Sequence, residues 1–135
     1  MQRLIDAARE ARARAYAPYS GYHVGAAILG DGGAIYLGCN VENVSYPACL
    51  CAERAAVGAM VAAGCRTFDA IAISTKDGGA PCGVCLQVLA EFAGDRDPEV
   101  LCASDQGTVR SFTLRQLLPQ AFASAEVGRT DGGRR

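Results

Sequence analysis

Two short stretches hold the residues best suited to chemistry: Cys51, Ala52, Glu53 and Arg54 in the run CAER, and Pro81 to Cys85 in the run PCGVC. By itself a Cys-x-x-Cys pair fits a redox dithiol, half of a structural zinc site, or part of a catalytic metal site. A tetrahedral zinc site is closed by four protein ligands, or left open by three with a position for water. Cys82 and Cys85 are paired by their spacing, and in the first turn of a helix both sulfurs can face one ion beside free backbone amides. A third ligand has to come from elsewhere. Cys51 is the best choice, because it also opens a helix and Glu53, two residues on, offers a carboxylate to a water at the metal. Cys49 forms a Cys-x-Cys with Cys51, but only Cys51 has the two-residue relation to the glutamate. The single histidine, His23, beside a strand, reads as a structural or surface residue and is not assigned to zinc.

Elements that would position these groups follow from periodicity. Leu4, Ile5, Ala8, Ala11 and Ala15 recur at helical spacing, which predicts an amphipathic helix over residues 2–16, ended by Pro18. Residues 22–30 and 34–40 read as strands around Asp31-Gly-Gly, whose glycines supply the positive φ angles of a hairpin turn. The alanine-rich run 51–64 is helical and stops on Gly64. Residues 69–76 read as a buried strand and 82–92 as a helix with Val84, Val88, Leu89 and Phe92 suited to core packing. Strands over 98–104 and 108–114 and a helical turn over 114–119 follow. Interleaved strands and helices predict a layered α/β domain. Both cysteine clusters have a loop before and a helix after, so two helix N-termini converge on one site.

Composition narrows the function classes. A chain of 135 residues fits one domain with a substantial core, read here as residues 1–125, with 126–135 as a polar, disordered tail. Thirteen basic and fourteen acidic side chains give a net charge of -1, and the pI is near 5.8, so there is no basic field to collect a nucleic-acid polymer. The first residues mix charges into their apolar pattern and read as neither signal peptide nor membrane span; a cytoplasmic protein is expected. Seven cysteines, an odd number, argue for thiols and metal ligands over a disulfide framework. Cys39, Cys65 and Cys102 are expected to be buried small hydrophobes.

Joined, CAE and PCGVC match the three-cysteine variant of the zinc deaminase signature. The runs AYAPYSGYHVGAAI, GCNVENVSYP, CAER, PCGVCLQVLAEF and LLPQAF further resemble, in order and over roughly residues 15 to 122, the small homotetrameric zinc-dependent cytidine deaminases. This resemblance implies a three-layer α/β/α fold around a mixed sheet of about five strands. It implies hydrolytic deamination of cytidine and deoxycytidine to uridine and deoxyuridine, with one zinc per chain on Cys51, Cys82 and Cys85. Glu53 would carry protons to N3 of the base and to the leaving amine. Arg54 would donate to a thiolate and offset the net -1 charge of a three-thiolate zinc. Asn40 and Glu42 would meet the ribose hydroxyls, the backbone at Ala52 the base edge, and Tyr22 the pyrimidine face, where the family usually has phenylalanine. Phe122 would enter a neighbouring subunit's pocket and Tyr46 would make a cross-subunit contact. Leu86 stands where the family commonly has arginine. The competing readings are a deaminase of a related nucleoside such as blasticidin S, a thioredoxin-like dithiol protein, and a noncatalytic zinc-stabilised fold closed by Cys49.

Overall fold

In the computed structural model, which describes residues 1–123, four helices and five strands alternate along the chain. The tail expected at 126–135 lies outside the described residues. Helix α1 (Gln2–Arg12) precedes a hairpin of β1 (Gly25–Gly30) and β2 (Ile35–Cys39); α2 (Ala52–Ala62), β3 (Phe68–Ser74), α3 (Gly83–Ala93), β4 (Glu99–Ala103), β5 (Val109–Thr113) and the short α4 (Leu114–Leu117) follow. The strands form one mixed sheet in the order β2-β1-β3-β4-β5, parallel between β3 and β4 and antiparallel elsewhere. A three-layer α/β/α arrangement results, as the resemblance implied.

Side-chain alternation assigns the layers. Ala27 on β1, Ala70 and Ala72 on β3, and Leu101 and Ala103 on β4 share one face with Leu4, Ile5 and Ala8 of α1. Their neighbours Ala26, Ile28, Ile71, Ile73, Val100 and Cys102 point the other way, into a larger core with Ala56 and Met60 of α2 and Leu86 and Leu89 of α3. Small side chains under α1 let that helix lie close. At Gly25 a Cβ would run into the backbone of Ala8 and Arg12, and at Gly38 into that of Ala52 and Ala56 in α2.

Several boundaries differ from expectation. Helix α1 stops at Arg12, because the chain is then drawn into bridging: Tyr16 N–H donates to Asn40 O at 2.9 Å and Glu42 N–H to Tyr16 O at 2.9 Å. In the β1–β2 turn only Gly33 has a positive φ, 91°. Val84 is not in the core; it is 60% exposed in the first turn of α3, and Leu86 packs inward instead. Cys102 is buried, whereas Cys39 and Cys65 are only partly so. Among the described residues, no helix is long and apolar enough to cross a membrane.

Register explains where a site can form. Cys39 pairs with Gly25, Gly25 with Ser74, and Ser74 with Ala103, so the carboxyl ends of β2, β3 and β4 lie in one row across the sheet. The segments leaving β2 and β3 at that row lead into α2 and α3, placing both helix N-termini at the same end. Open α/β sheets bind ligands there, at the carboxyl ends of strands.

Candidate metal centre and pocket

Cys51 and Cys82 are the residues immediately before α2 and α3; both are extended, with ψ of 151° and 166°, and neither thiol caps the backbone of its helix. Cys85 follows in the first turn of α3 and is fully buried. The three sulfurs lie within 4.8 Å of one another. In tetrahedral zinc with bonds of about 2.3 Å, sulfurs stand about 3.8 Å apart, so small side-chain adjustments suffice. Hydrogen bonding from Cys85, assisted by Arg54, pulls the Cys51 thiol down to about 5. Cys85, tied to the Cys51 sulfur and buried, is pushed the other way. A cation bound by all three releases the remaining protons.

Glu53 sits in the first turn of α2, 6% exposed, in the wall of the same pocket. Burial pushes its carboxyl up to about 6, and the charge of Cys51 adds to the effect. A carboxyl so placed is poised to take and return a proton near neutral pH. Arg54, next in sequence, turns from the pocket toward the sulfurs: Nη2 donates to Cys51 Sγ at 3.3 Å and to Cys49 O at 3.4 Å. Its Nε is buried without a hydrogen-bond partner. A guanidinium held beside three sulfurs with donor capacity left over suits a cluster carrying net negative charge.

The pocket, of about 360 Å³, continues from these groups to the loops after β2 and before β1. Asn40 bridges the backbone there: its Nδ2 donates to Tyr22 O at 2.8 Å and its Oδ1 accepts from Val24 N–H at 2.9 Å. The amide keeps a second N–H and a second lone pair for a ligand. Glu42 Oε1 accepts from the N–H groups of Tyr19 at 2.9 Å and Ser20 at 3.1 Å, and Oε2 accepts from Ser20 Oγ. Chiefly through the Ser20 hydroxyl, this holds the Glu42 carboxyl below the usual range and therefore ionised. Tyr22, 39% exposed, lines the same pocket, and Ala52 contributes from the start of α2.

Tyr46 and Phe122 are not brought to this pocket within one chain. Tyr46, 73% exposed, meets Tyr19 edge-on with ring centroids 6.4 Å apart. Phe122 projects from a backbone clasped by Gln87 of α3, whose Nε2 donates to Phe122 O at 2.8 Å and whose Oε1 accepts from Phe122 N–H at 3.2 Å.

Residues 1–102 match the family model described as the cytidine and deoxycytidylate deaminase zinc-binding region. The chain belongs to the cytidine and deoxycytidylate deaminase family. It is 41% identical over 129 residues to a cytidine deaminase from Sporosarcina psychrophila, covering 94% of each chain. It is 44% identical to one from Mycobacterium tuberculosis over 124 residues, 90% of this chain and 89% of the other. The crystal structure of cytidine deaminase from Burkholderia pseudomallei superimposes with a TM-score of 0.85 at 46% identity, covering 90% of this chain and 98% of that one.

This deaminase family is zinc-binding, and the donor set here fits: three convergent thiols with an arginine beside them could hold the ion. The deaminase pocket also contains groups that motif reading passed over. Ser20 fixes Glu42, while Thr75, Gly79 and Ala80 line the approach to Cys82. Only the serine had a sequence signal, a small hydroxyl in the loop YSGY. Thr75 and its neighbours belong to a segment whose path is set by contacts with β4 and β5.

Proposed function

We propose that this protein is a zinc-dependent hydrolase that converts cytidine and deoxycytidine to uridine and deoxyuridine with release of ammonia. The reading is carried by one observation: three sulfurs within 4.8 Å of one another at the same pocket as a buried glutamate. Cys51, Cys82 and Cys85 would hold one zinc per chain. Zinc in such an open site supplies Lewis acidity, lowering the pKa of a water to about 7. Glu53 takes a proton from the attacking water and delivers it to N3 of the base; it then takes the second proton from the hydroxyl now on C4 and gives it to the exocyclic nitrogen, so that the C4–N bond breaks, ammonia leaves and C4 becomes a carbonyl. Its elevated pKa allows it to be filled and emptied during one turnover. Arg54 offsets thiolate charge, which would otherwise weaken the Lewis acidity of an ion held by three sulfurs.

At the other end of the pocket, ionised Glu42 accepts from a sugar hydroxyl and Asn40 offers both a donor and an acceptor. The Tyr22 ring lies against the pyrimidine, and the backbone at Ala52 meets the base edge. Tyr46 and Phe122 belong to contacts between subunits of a homotetramer, where each Phe122 enters a neighbouring pocket. Their exposure, with that of Val44 at 79%, supports this, since each leaves a large apolar side chain in water that association would cover. Residues 1–125 form the single catalytic domain, acting on nucleosides in the cytoplasm as part of pyrimidine salvage.

The test is a deamination assay on the purified protein with metal measured on the same sample. About one zinc per chain and conversion of cytidine to uridine are expected, with blasticidin S turned over far more slowly. Zinc without deamination of cytidine would remove the function and leave the fold.

A further inference from the structure

Tyr22 and Asp77 are 55 residues apart in sequence and meet across the mouth of the pocket. Tyr22 lies in the segment entering β1; Asp77 lies in the connection from β3 that ends at Cys82. The Tyr22 hydroxyl donates to Asp77 Oδ1 at 2.6 Å. The same oxygen accepts from Thr75 Oγ1 at 3.2 Å and from Gly79 N–H at 3.2 Å. Its own loop therefore fixes the carboxylate. Thr75 Oγ1 accepts from the N–H groups of Gly78 at 2.7 Å and Gly79 at 3.1 Å, and Arg110 Nη2 donates to Gly78 O at 2.7 Å. The tyrosine tip rests on the Gly79 backbone, where a Cβ would stand 3.3 Å from the hydroxyl.

The other end of the tyrosine is also held. Its N–H donates to Ser20 Oγ at 3.0 Å and its carbonyl accepts from Asn40 Nδ2 at 2.8 Å. Ser20 and Asn40 are the residues that organise the Glu42 end of the pocket. Tyr22 thus spans from that end to the loop leading into the cysteine site. Without its tip contact, a side chain 39% exposed would be free to change rotamer and leave the pocket wall. A phenylalanine at this place could not make the contact.

We infer that Asp77 is a positioning residue, which holds the Tyr22 ring as a preformed wall for the nucleoside base through their hydrogen bond. This rests on the nucleoside deaminase reading above. The bond is charge-assisted, since the tyrosine hydroxyl and the Gly79 amide keep the Asp77 carboxyl below its ordinary range and ionised. A preformed wall spares the ordering cost otherwise met on binding, so its loss weakens substrate binding more than the chemical step.

The experiment compares cytidine kinetics of the zinc-loaded wild type, Asp77→Ala, Asp77→Asn, Tyr22→Phe and the double variant Tyr22→Phe/Asp77→Ala. Asp77→Ala and Tyr22→Phe should each raise KM roughly three- to tenfold with kcat within about twofold. The double variant should be no worse than the poorer single one, and Asp77→Asn, which keeps an acceptor oxygen, should recover most of the loss. Calorimetric binding of cytidine by the same substitutions in a Glu53→Gln background should show the same pattern without turnover. An unchanged KM, a loss confined to kcat, or losses that add in the double variant would overturn the tie. Failure of the zinc-loaded wild type to deaminate cytidine would instead overturn the reading on which the tie rests.

Discussion

Glu53 combines two properties that ordinarily exclude each other: a carboxyl almost wholly out of water, and no cation of its own chain paired with it through a salt bridge among the described residues. Arg54 is its neighbour in sequence but turns its Nη2 to the Cys51 sulfur and the Cys49 carbonyl. The carboxyl is therefore left with its affinity for a proton raised. Replacing Glu53 by Gln keeps the shape and removes the proton carrier, so kcat should fall by about 10² to 10⁴ while zinc content and cytidine binding are retained. Steady-state assays with metal analysis and calorimetry check this, and a variant that loses zinc as well would show that Glu53 organises the cysteines. The residues of this centre were legible in the sequence because each motif is local: three cysteines and a glutamate sit at fixed offsets from two helix starts. The direction in which Arg54 points was implied by the family resemblance alone, and in the structure Nη2 donates to Cys51 Sγ; the residue pattern by itself fits a surface arginine on a helix equally well.

At the scale of elements, the close approach of α2 to β2 is what brings Cys51 to the end of the sheet. Gly38 permits it, since any Cβ there would overlap the backbone of the first turns of α2. Gly38→Ala should destabilise the protein by about 1–3 kcal/mol, as overpacking does, and should hasten zinc loss to a chelator because the displaced turn carries Cys51. Urea denaturation and a timed chelator assay measure the two effects. The strands were legible because β1, β3 and β4 alternate cleanly between two buried faces. The end of α1 was not, since Ala13 to Tyr16 keep helical composition and are diverted by backbone bonds to Asn40 and Glu42, remote in sequence. Val84 was misplaced for a related reason: the first turn of α3 must offer Cys85 to the cluster, and that rotation leaves Val84 facing outward.

The whole molecule has a consistent acid response away from the three-cysteine centre. Asp31 is held below its ordinary 3.8 mainly by the Thr67 hydroxyl, Asp105 by Arg12, Asp77 by Tyr22, and Glu42 below its ordinary 4.5 by Ser20. A carboxyl whose folded pKa is depressed adds stability that is complete above its unfolded value and is lost as pH falls through the folded one. The melting temperature contributed by these groups should therefore be flat through neutral pH and decline below about 4. Asp31→Asn should lower it at about pH 7, and the gap should narrow progressively as the pH falls below the ordinary 3.8; a gap that stays the same size throughout would show that the carboxylate charge is irrelevant there. These partnerships join residues tens of positions apart, such as Asp31 with Thr67 and Tyr22 with Asp77. Motif reading could name Tyr22 yet could not supply its partner, because the pairing exists only once β1 and β3 lie side by side.

The Gln87 clasp on Phe122 has a consequence for how the chain can be altered. An amide side chain satisfies both backbone groups of Phe122 from the helix that also carries Cys85, so the late segment is docked as a peptide ligand would be. Cargo attached beyond that point leaves the docking intact, whereas trimming back through Phe122 strips a helix two residues from a cysteine of its partner. The permissible edge of an engineered version is thus written in α3 and not in the tail.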